Sequence, residues 1–190
     1  MSGLQHPFLA YSDTLQNPFV QDWIKDNKKV IGYYCANMPE ELIHAAGFLP
    51  FRIRGTGNTE FHLSDAFLSR FNCTYVRSTL NLALKGEYNF MDGVIVANTC
   101  DHIRRMYDIW KLKVDKCKTD ALKLFFLSLP HTFTIEGMTW VKEELAKFQN
   151  EFSQSFNLTI DPMALAKSIE VYNHNSELMT RLSGLRTLDN

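Results

Sequence analysis

The feature that most constrains this chain is a repeated exchange between two apolar rhythms. Four near-continuous apolar runs, KKVIGYYC (residues 28–35), LPFRIRG (49–55), FMDGVIVANT (90–99) and LKLFFLSLP (122–130), are rich in β-formers and bounded by turn residues. Between them the period lengthens to that of a helix. PEELIHAAG sets a proline at its first position, two glutamates in its first turn and Gly47 at its end. From Asn72 onward, Val76, Leu80, Ala83 and Leu84 share one face until KGE stops the pattern. From Asp101 to about Lys113, Ile103, Met106, Tyr107 and Trp110 recur at i, i+3, i+4 and i+7. Further helices are predicted at 19–26, 139–152 and 162–185, the last with Asp161 as its N-cap.

Strands that are apolar throughout require cover on both faces, and alternation with helices supplies it. The pattern therefore predicts an α/β chain with a three-layer, doubly wound, mainly parallel sheet of about four strands and a trailing C-terminal helix. It divides as an N-terminal arm and short helix (1–27), an α/β lobe (28–160) and the C-terminal helix (161–190).

Charge and composition narrow the function classes. A formal net charge of −1 leaves no concentrated basic footprint for nucleic acid. The longest apolar runs, such as FFLSL, fall well short of the ~20 residues that cross a bilayer. The first residues show no basic region followed by an apolar block, so the expected compartment is the cytoplasm, where disulfides are rare. The four cysteines, Cys35, Cys73, Cys100 and Cys117, form no CxxC pair, which argues against a zinc ribbon or a thioredoxin motif.

Ligands of open parallel sheets gather beyond the carboxyl ends of the strands. There the thiols are informative: Cys35 ends the first strand, Cys100 ends the third, and Cys73 opens a helix after a loop. Cys73 and Cys100 share one local design, loop then cysteine then helix. A helix N-terminus favours an anion, and a thiolate is the form that binds metal or attacks an electrophile. The plainer reading stays open for each thiol alone, since free cysteine often serves as a small buried hydrophobe. It suits Cys35 in particular, while Cys117, in VDKCKTD, reads as an incidental surface thiol. Arg104, Arg105 and Lys111 read as a solvated helix face or, with Arg77 and His102, as the mouth of an anionic-ligand site. Arg52 and Arg54 alternate along one strand and share a direction. Glu40 and Glu41 complement the helix dipole, a carboxylate aimed at substrate being the sharper option. GTGN is too short for a phosphate-binding fingerprint, and neither GxxxxGK[ST] nor a nucleophile elbow occurs.

The segments VIGYYCANMPEELIHAAGFLPFRIRG and NCTYVRSTLNLALKGEYNFMDGVIVANTCDHIRRMYDIWK resemble the 2-hydroxyacyl-CoA dehydratase family. This is the 2-hydroxyglutaryl-CoA dehydratase D-component type, which includes benzoyl-CoA reductase subunits. PEEL with AAG, a cysteine followed by VRS, DGV, and NTCD before a basic-aromatic helix carry the likeness by their order and spacing. The resemblance implies a 4Fe–4S cluster on three cysteines, two of which map onto Cys73 and Cys100. The third would come from a second α/β lobe, toward which residues 161–190 lead, so that 28–160 is the cluster-binding lobe. Cys35 matches a position often filled by cysteine in the family. It further implies a CoA-thioester substrate reduced by one electron to a ketyl radical, an ATP-dependent activator protein as electron donor, and a homologous second subunit. By the same resemblance Glu41 is a substrate-facing carboxylate, and Arg77 and Arg105 serve the CoA phosphates or the activator's docking surface. The competing expectations are a truncated, catalytically silent α/β interaction domain and a ligand-binding module with ordinary core cysteines.

Overall fold

Four short strands form one all-parallel sheet: β1 (Val30–Tyr33), β2 (Leu49–Arg52), β3 (Gly93–Ala97) and β4 (Lys123–Leu127), in the order β2-β1-β3-β4. The computed structural model describes residue 11 and residues 14–35, 37–114 and 122–186; Cys117 and most of the N-terminal arm lie outside the described residues. Among the described residues six α-helices accompany the strands: α1 (Pro18–Lys25), α2 (Glu40–Ala45), α3 (Thr74–Leu84), α4 (Asp101–Ile109), α5 (Ile135–Phe156) and α6 (Pro162–Leu185). A 3-10 turn at Ser64–Ala66 precedes α3, and a π-helical turn at Trp110–Val114 extends α4.

The strand order explains the layers. The chain moves outward from β1 to β2, then returns past β1 to β3 and on to β4. Right-handed crossovers in opposite directions place their helices on opposite faces. Accordingly Leu42 and Ile43 of α2 pack with Phe148 and Phe152 of α5 on one side, against Ile31, Ile95 and Phe125. Val76 and Leu80 of α3 pack with Ile103 and Met106 of α4 on the other, against Val30, Val94 and Val96. The three-layer, doubly wound α/β arrangement is the one the sequence predicts. Its switch point lies between β1 and β3.

Helix ends follow local chemistry. Asn17, Thr134 and Asp161 each accept a first-turn backbone N–H, from Val20, Gly137 and Ala164 respectively. Pro39 caps α2 rather than opening it, and Gly47 at φ +80° lets the Phe48 N–H reach back to Ile43 O. Two helices depart from the expected bounds. The regular turns of α4 stop at Ile109, where the π turn begins. The expected helix at 139–152 runs from Ile135 to Phe156 because Thr134 supplies an earlier cap. Gly137 masks that start in the sequence, yet a Cβ there would stand 2.6 Å from Thr132 O, so the cap needs a glycine.

The DGV motif belongs to this framework. The Asp92 carboxylate accepts the Val30 N–H at 2.9 Å and Asp92 N–H donates to Val30 O at 2.8 Å, locking the incoming end of β1 to β3. A Cβ on Gly93 would approach Ile31 and Lys123 O at 3.1 Å, so the strands meet there without room for a side chain.

Candidate functional site

At the switch point the loops after β1 and β3 diverge, leaving the crevice in which such sheets hold ligands. Cys100 ends the loop after β3 as the N-cap residue of α4; Cys73 holds the same position at α3. Both are exposed, and neither caps its helix with a side-chain hydrogen bond. Each thiol thus stands beside first-turn N–H groups that its own side chain leaves open.

Two contacts draw these elements together. His102 Nδ1 and Asn72 Oδ1 lie 2.8 Å apart, joining the residue before Cys73 to the first turn after Cys100. Thr99 Oγ1 donates to Cys35 Sγ at 3.5 Å, joining the loops that follow β3 and β1. Asn98 fixes the same loop from its other side: its N–H donates to Leu127 O at 3.1 Å, and its Oδ1 accepts the Leu129 N–H at 2.8 Å. The NTC tripeptide therefore braces the ends of β4 and β1 while presenting Cys100.

Cys35 packs against the core, as the plainer expectation has it, but from a turn rather than from the strand. It lies beyond the strand, half-buried, with φ +66°, and Asn37 follows at φ +64°. Non-glycine residues in the left-handed region carry a backbone cost of order 1–3 kcal/mol, and such strain gathers at functional sites. The preceding Tyr34 is wholly buried, its N–H donating to Ile95 O at 3.2 Å. The left-handed turn sets the thiol at the margin of the core, packed against it and within reach of Thr99.

The two glutamates of PEEL separate in role. Glu40 Oε1 accepts the Tyr33 hydroxyl at 2.7 Å; burial, then that carboxylate, pushes the Tyr33 phenol far above its usual range. The Glu41 side chain has no hydrogen bond among the described residues, although Ser168 Oγ donates to its main-chain oxygen at 2.9 Å. It borders an open cleft of about 640 Å³ with Leu42, Met138, Leu145, Leu165 and Ile169.

The arginines also separate. Arg77 donates to Asp65 Oδ1 through Nε at 2.9 Å and through a terminal nitrogen at 2.6 Å, its guanidinium lying 4.5 Å from the Phe61 ring centre. Arg105 is exposed, with no ion pair among the described residues, whereas Arg104 reaches Asp101 at 3.6 Å. Arg52 is exposed on β2, and Arg54 donates to main-chain oxygens of Tyr11 and Thr14 at 3.3 and 2.7 Å. Lys111 is exposed on the π turn.

Residues 35–190 match the family described as 2-hydroxyglutaryl-CoA dehydratase, D-component. The chain is a member of that family. It is 32% identical over 163 residues to the C subunit of the benzoyl-CoA reductase of Thauera aromatica, covering 85% of this chain and 41% of that protein. It is 27% identical over 189 residues to the (R)-phenyllactyl-CoA dehydratase beta subunit of Clostridium sporogenes, covering 97% of this chain and 49% of the relative. The beta subunit of (R)-2-hydroxyglutaryl-CoA dehydratase of Acidaminococcus fermentans is 26% identical over 147 residues, covering 77% of this chain and 38% of the relative. The chain thus spans about half the length, or less, of the curated relatives it matches.

For a dehydratase-family chain the donor set can be tested against an iron–sulfur cluster. Thiolates are the natural ligands of such clusters. Two exposed cysteines on neighbouring helix ends suit that chemistry as a pair. Among the described residues, however, no group of three His, Cys, Asp or Glu side chains is arranged to hold a metal ion. These residues fit part of a ligand set and leave it incomplete. Among the described residues, no helix is long and apolar enough to cross a membrane.

Sequence reasoning found the thiols but missed their braces. Asn72, Asn98 and Thr99 sit inside the motifs, yet nothing in their spacing shows that all three bond to residues 30 or more positions away. The asparagine at position 37 was the available sign of a left-handed turn after β1.

Proposed function

We propose that this chain is a subunit, or the N-terminal lobe of one, in a 2-hydroxyacyl-CoA dehydratase or benzoyl-CoA reductase-like enzyme of the cytoplasm. The observation that carries the reading is the pair of exposed cysteines, Cys73 and Cys100, at twin helix starts beside the β1/β3 switch point. In this reading residues 28–160 are the cluster-binding lobe and residues 161–190 lead toward a second one. Cys73 and Cys100 supply two thiolates to a 4Fe–4S cluster, and the third donor comes from outside the described residues. When bound, such a cluster would pass single electrons, received from the activator protein, to the thioester carbonyl of the CoA substrate, which would become a ketyl radical.

The remaining residues bind and orient. Glu41, without a side-chain hydrogen bond among the described residues and set in a mainly apolar cleft, faces the acyl part of the substrate. Arg105 meets the CoA phosphates or the docking face of an ATP-dependent activator protein. Arg77, committed to Asp65, reaches the same anions only by giving up that pair, so its first role is to hold the start of α3. The assembly is completed by a homologous second subunit, in keeping with the relatives' names, each of which is that of a subunit.

Anaerobic purification with iron and sulfide, alongside the partner subunit, tests the proposal. The expected product is brown and oxygen-sensitive, with broad visible absorption that Cys73→Ala or Cys100→Ala diminishes. A colourless, iron-free complex would sink the reading. The incomplete donor set favours one alternative, a catalytically silent α/β interaction domain. That alternative predicts partner binding indifferent to both substitutions and no bound iron in any variant.

A further inference from the structure

The outer edge of the sheet carries a cleft that the cysteine site does not use. It lies along β2, has a volume of about 570 Å³, and is bordered by Asn17, Phe19, Pro50, Arg52, Arg54 and Tyr75, among others. That volume falls within the ~300–1,000 Å³ of ordinary small-molecule sites. Among the described residues, none that lines the cleft is acidic. In a chain of net charge −1, a concavity lined by two arginines, with no acidic residue among its described lining, suits an anion.

The edge itself argues for a ligand over an added strand. The Leu49 and Ile53 N–H groups point inward, donating to Lys29 O and Tyr33 O. By the alternation of a strand, Pro50 and Arg52 direct their peptide groups outward, and Pro50 has no N–H to offer. Arg52 is thus the outward backbone donor of β2, and its guanidinium has no hydrogen bond or ion pair among the described residues. A partner strand would find one donor where it needs a row. An anionic oxygen would find a backbone N–H and a planar guanidinium on one residue.

The two neighbours add direction. Arg54 is fixed by the main-chain oxygens of Tyr11 and Thr14, which orient its charge without neutralising it. Phe19 is 71% exposed, and Tyr11 stacks on it with ring centres 5.2 Å apart, leaving an aromatic surface at the cleft. At the inner end Tyr75, its hydroxyl donating to Ile53 O at 2.7 Å, stands in the first turn of α3, two residues past Cys73.

The geometry points to this cleft as the site where the chain binds the 3′-phosphorylated nucleotide end of CoA. Arg52 and Arg54 take the phosphates, Phe19 meets the adenine, and the pantetheine arm leads past Tyr75 toward the cysteine pair. The inference rests on the reading of the chain as part of a CoA-thioester enzyme; by giving the nucleotide to Arg52 and Arg54 it decides between the two roles named for Arg105 and leaves that residue to the activator's docking face.

Isothermal titration of the 190-residue chain with CoA, dephospho-CoA, ADP and inorganic phosphate tests it, using Arg52→Ala, Arg52→Lys, Phe19→Ala and, as a charge control, Arg181→Ala on α6. The expected result is CoA binding that weakens by roughly tenfold or more in Arg52→Ala, less in Arg52→Lys and Phe19→Ala, and not in Arg181→Ala. Dephospho-CoA and ADP should bind more weakly than CoA. Absence of CoA binding, wild-type affinity in Arg52→Ala, an equal loss in Arg181→Ala, or ADP binding as tightly as CoA would each overturn the assignment. Iron content, read on the same preparations, keeps the two proposals apart. Arg52-dependent CoA binding without iron removes the cluster and leaves the cleft; iron with Arg52-independent CoA binding does the reverse.

Discussion

The two faces of the sheet are packed by different rules. On the α2/α5 face the core is built from phenylalanine. Phe152 is fully buried, with ring centres of Phe156, Phe148, Phe125 and Phe48 between 4.9 and 5.5 Å away. The α3/α4 face buries polar groups as well. Thr79 and Asn81 are wholly enclosed, Asn81 accepting from the Leu63 and Ser64 N–H groups, while Tyr34 Oη and Trp110 Nε1 are buried without a hydrogen-bond partner among the described residues. An unpaired buried donor costs about 1–3 kcal/mol. The strained turn at Cys35 and the π turn at Trp110 adjoin this same face. Both thiol-bearing helices rise from it. One face therefore supplies stability mainly through apolar packing, its buried Ser168 being fully hydrogen-bonded, and the other tolerates imperfection beside the exposed thiols.

The largest expected effect breaks the first face. Phe152→Ala removes the centre of the aromatic cluster and should cost about 3–5 kcal/mol. Urea unfolding would show this as a lower midpoint with an unchanged slope. A loss below about 1 kcal/mol would mean that the face collapses to refill the space, and the contrast between faces would weaken.

How much of this was legible in the sequence follows from where the information is local. The helical periods of α3 and α4, the apolar strands and the Asp161 cap are written within a few consecutive residues, and each was readable. The sheet order was not, because nothing in KKVIGYYC names its neighbours; the parallel class came only from alternation. At the candidate site, Cys73 and Cys100 could be paired by their shared local design. The contacts that bring their surroundings together, Asn72 to His102 and Cys35 to Thr99, span 30 and 64 positions and have no local signature. Arg77 shows the same limit in reverse: as a cation near a suspected site it looked available, while its partner Asp65 lies across a loop with no spacing rule.

A smaller effect tests the second face. Arg77 and Asp65 form a mostly shielded pair, with side-chain exposures of 12% and 25%. Arg77→Ala leaves the Asp65 carboxylate without its fork and should cost about 1–3 kcal/mol. Because the pair ties the start of α3 to the turn before it, amide exchange should quicken first near Cys73 and leave α5 protected. Uniform quickening through both faces would contradict their independence.

High pH weighs the faces against each other. Tyr75 on the α3 side and Tyr172 on the α6 side are each pushed up to about 12, in both cases chiefly by burial. The folded state holds these protons more tightly than the unfolded chain, whose phenols ionise near 10. Their contribution is complete below about pH 10 and is lost as pH rises toward 12. Tyr75→Phe and Tyr172→Phe should each flatten the alkaline fall in stability, by at most about 1.4 kcal/mol per pH unit for one proton. Equal flattening would show that the faces hold their phenols alike. A fall that begins below pH 9 would place the cause elsewhere.

The smallest expected change in stability belongs to the residues with the largest proposed role. Cys73 and Cys100 are exposed and cap their helices with no side-chain hydrogen bond, so Cys73→Ala and Cys100→Ala remove no packing and no bond. Each should alter the unfolding free energy by no more than about 0.5 kcal/mol. Cys35→Ala differs, since it deletes the acceptor of the Thr99 hydroxyl while keeping the left-handed turn, and should cost somewhat more. A thiol kept at a helix start where serine, threonine or aspartate would cap better has no stabilising reason to be there. If Cys73→Ser and Cys100→Ser stabilise the chain while abolishing iron binding, the side chains at these two positions serve chemistry at the expense of the fold. If either alanine variant unfolds the protein, the thiols belong to the core, and the division between a stabilising face and a working one fails at the point where it matters most.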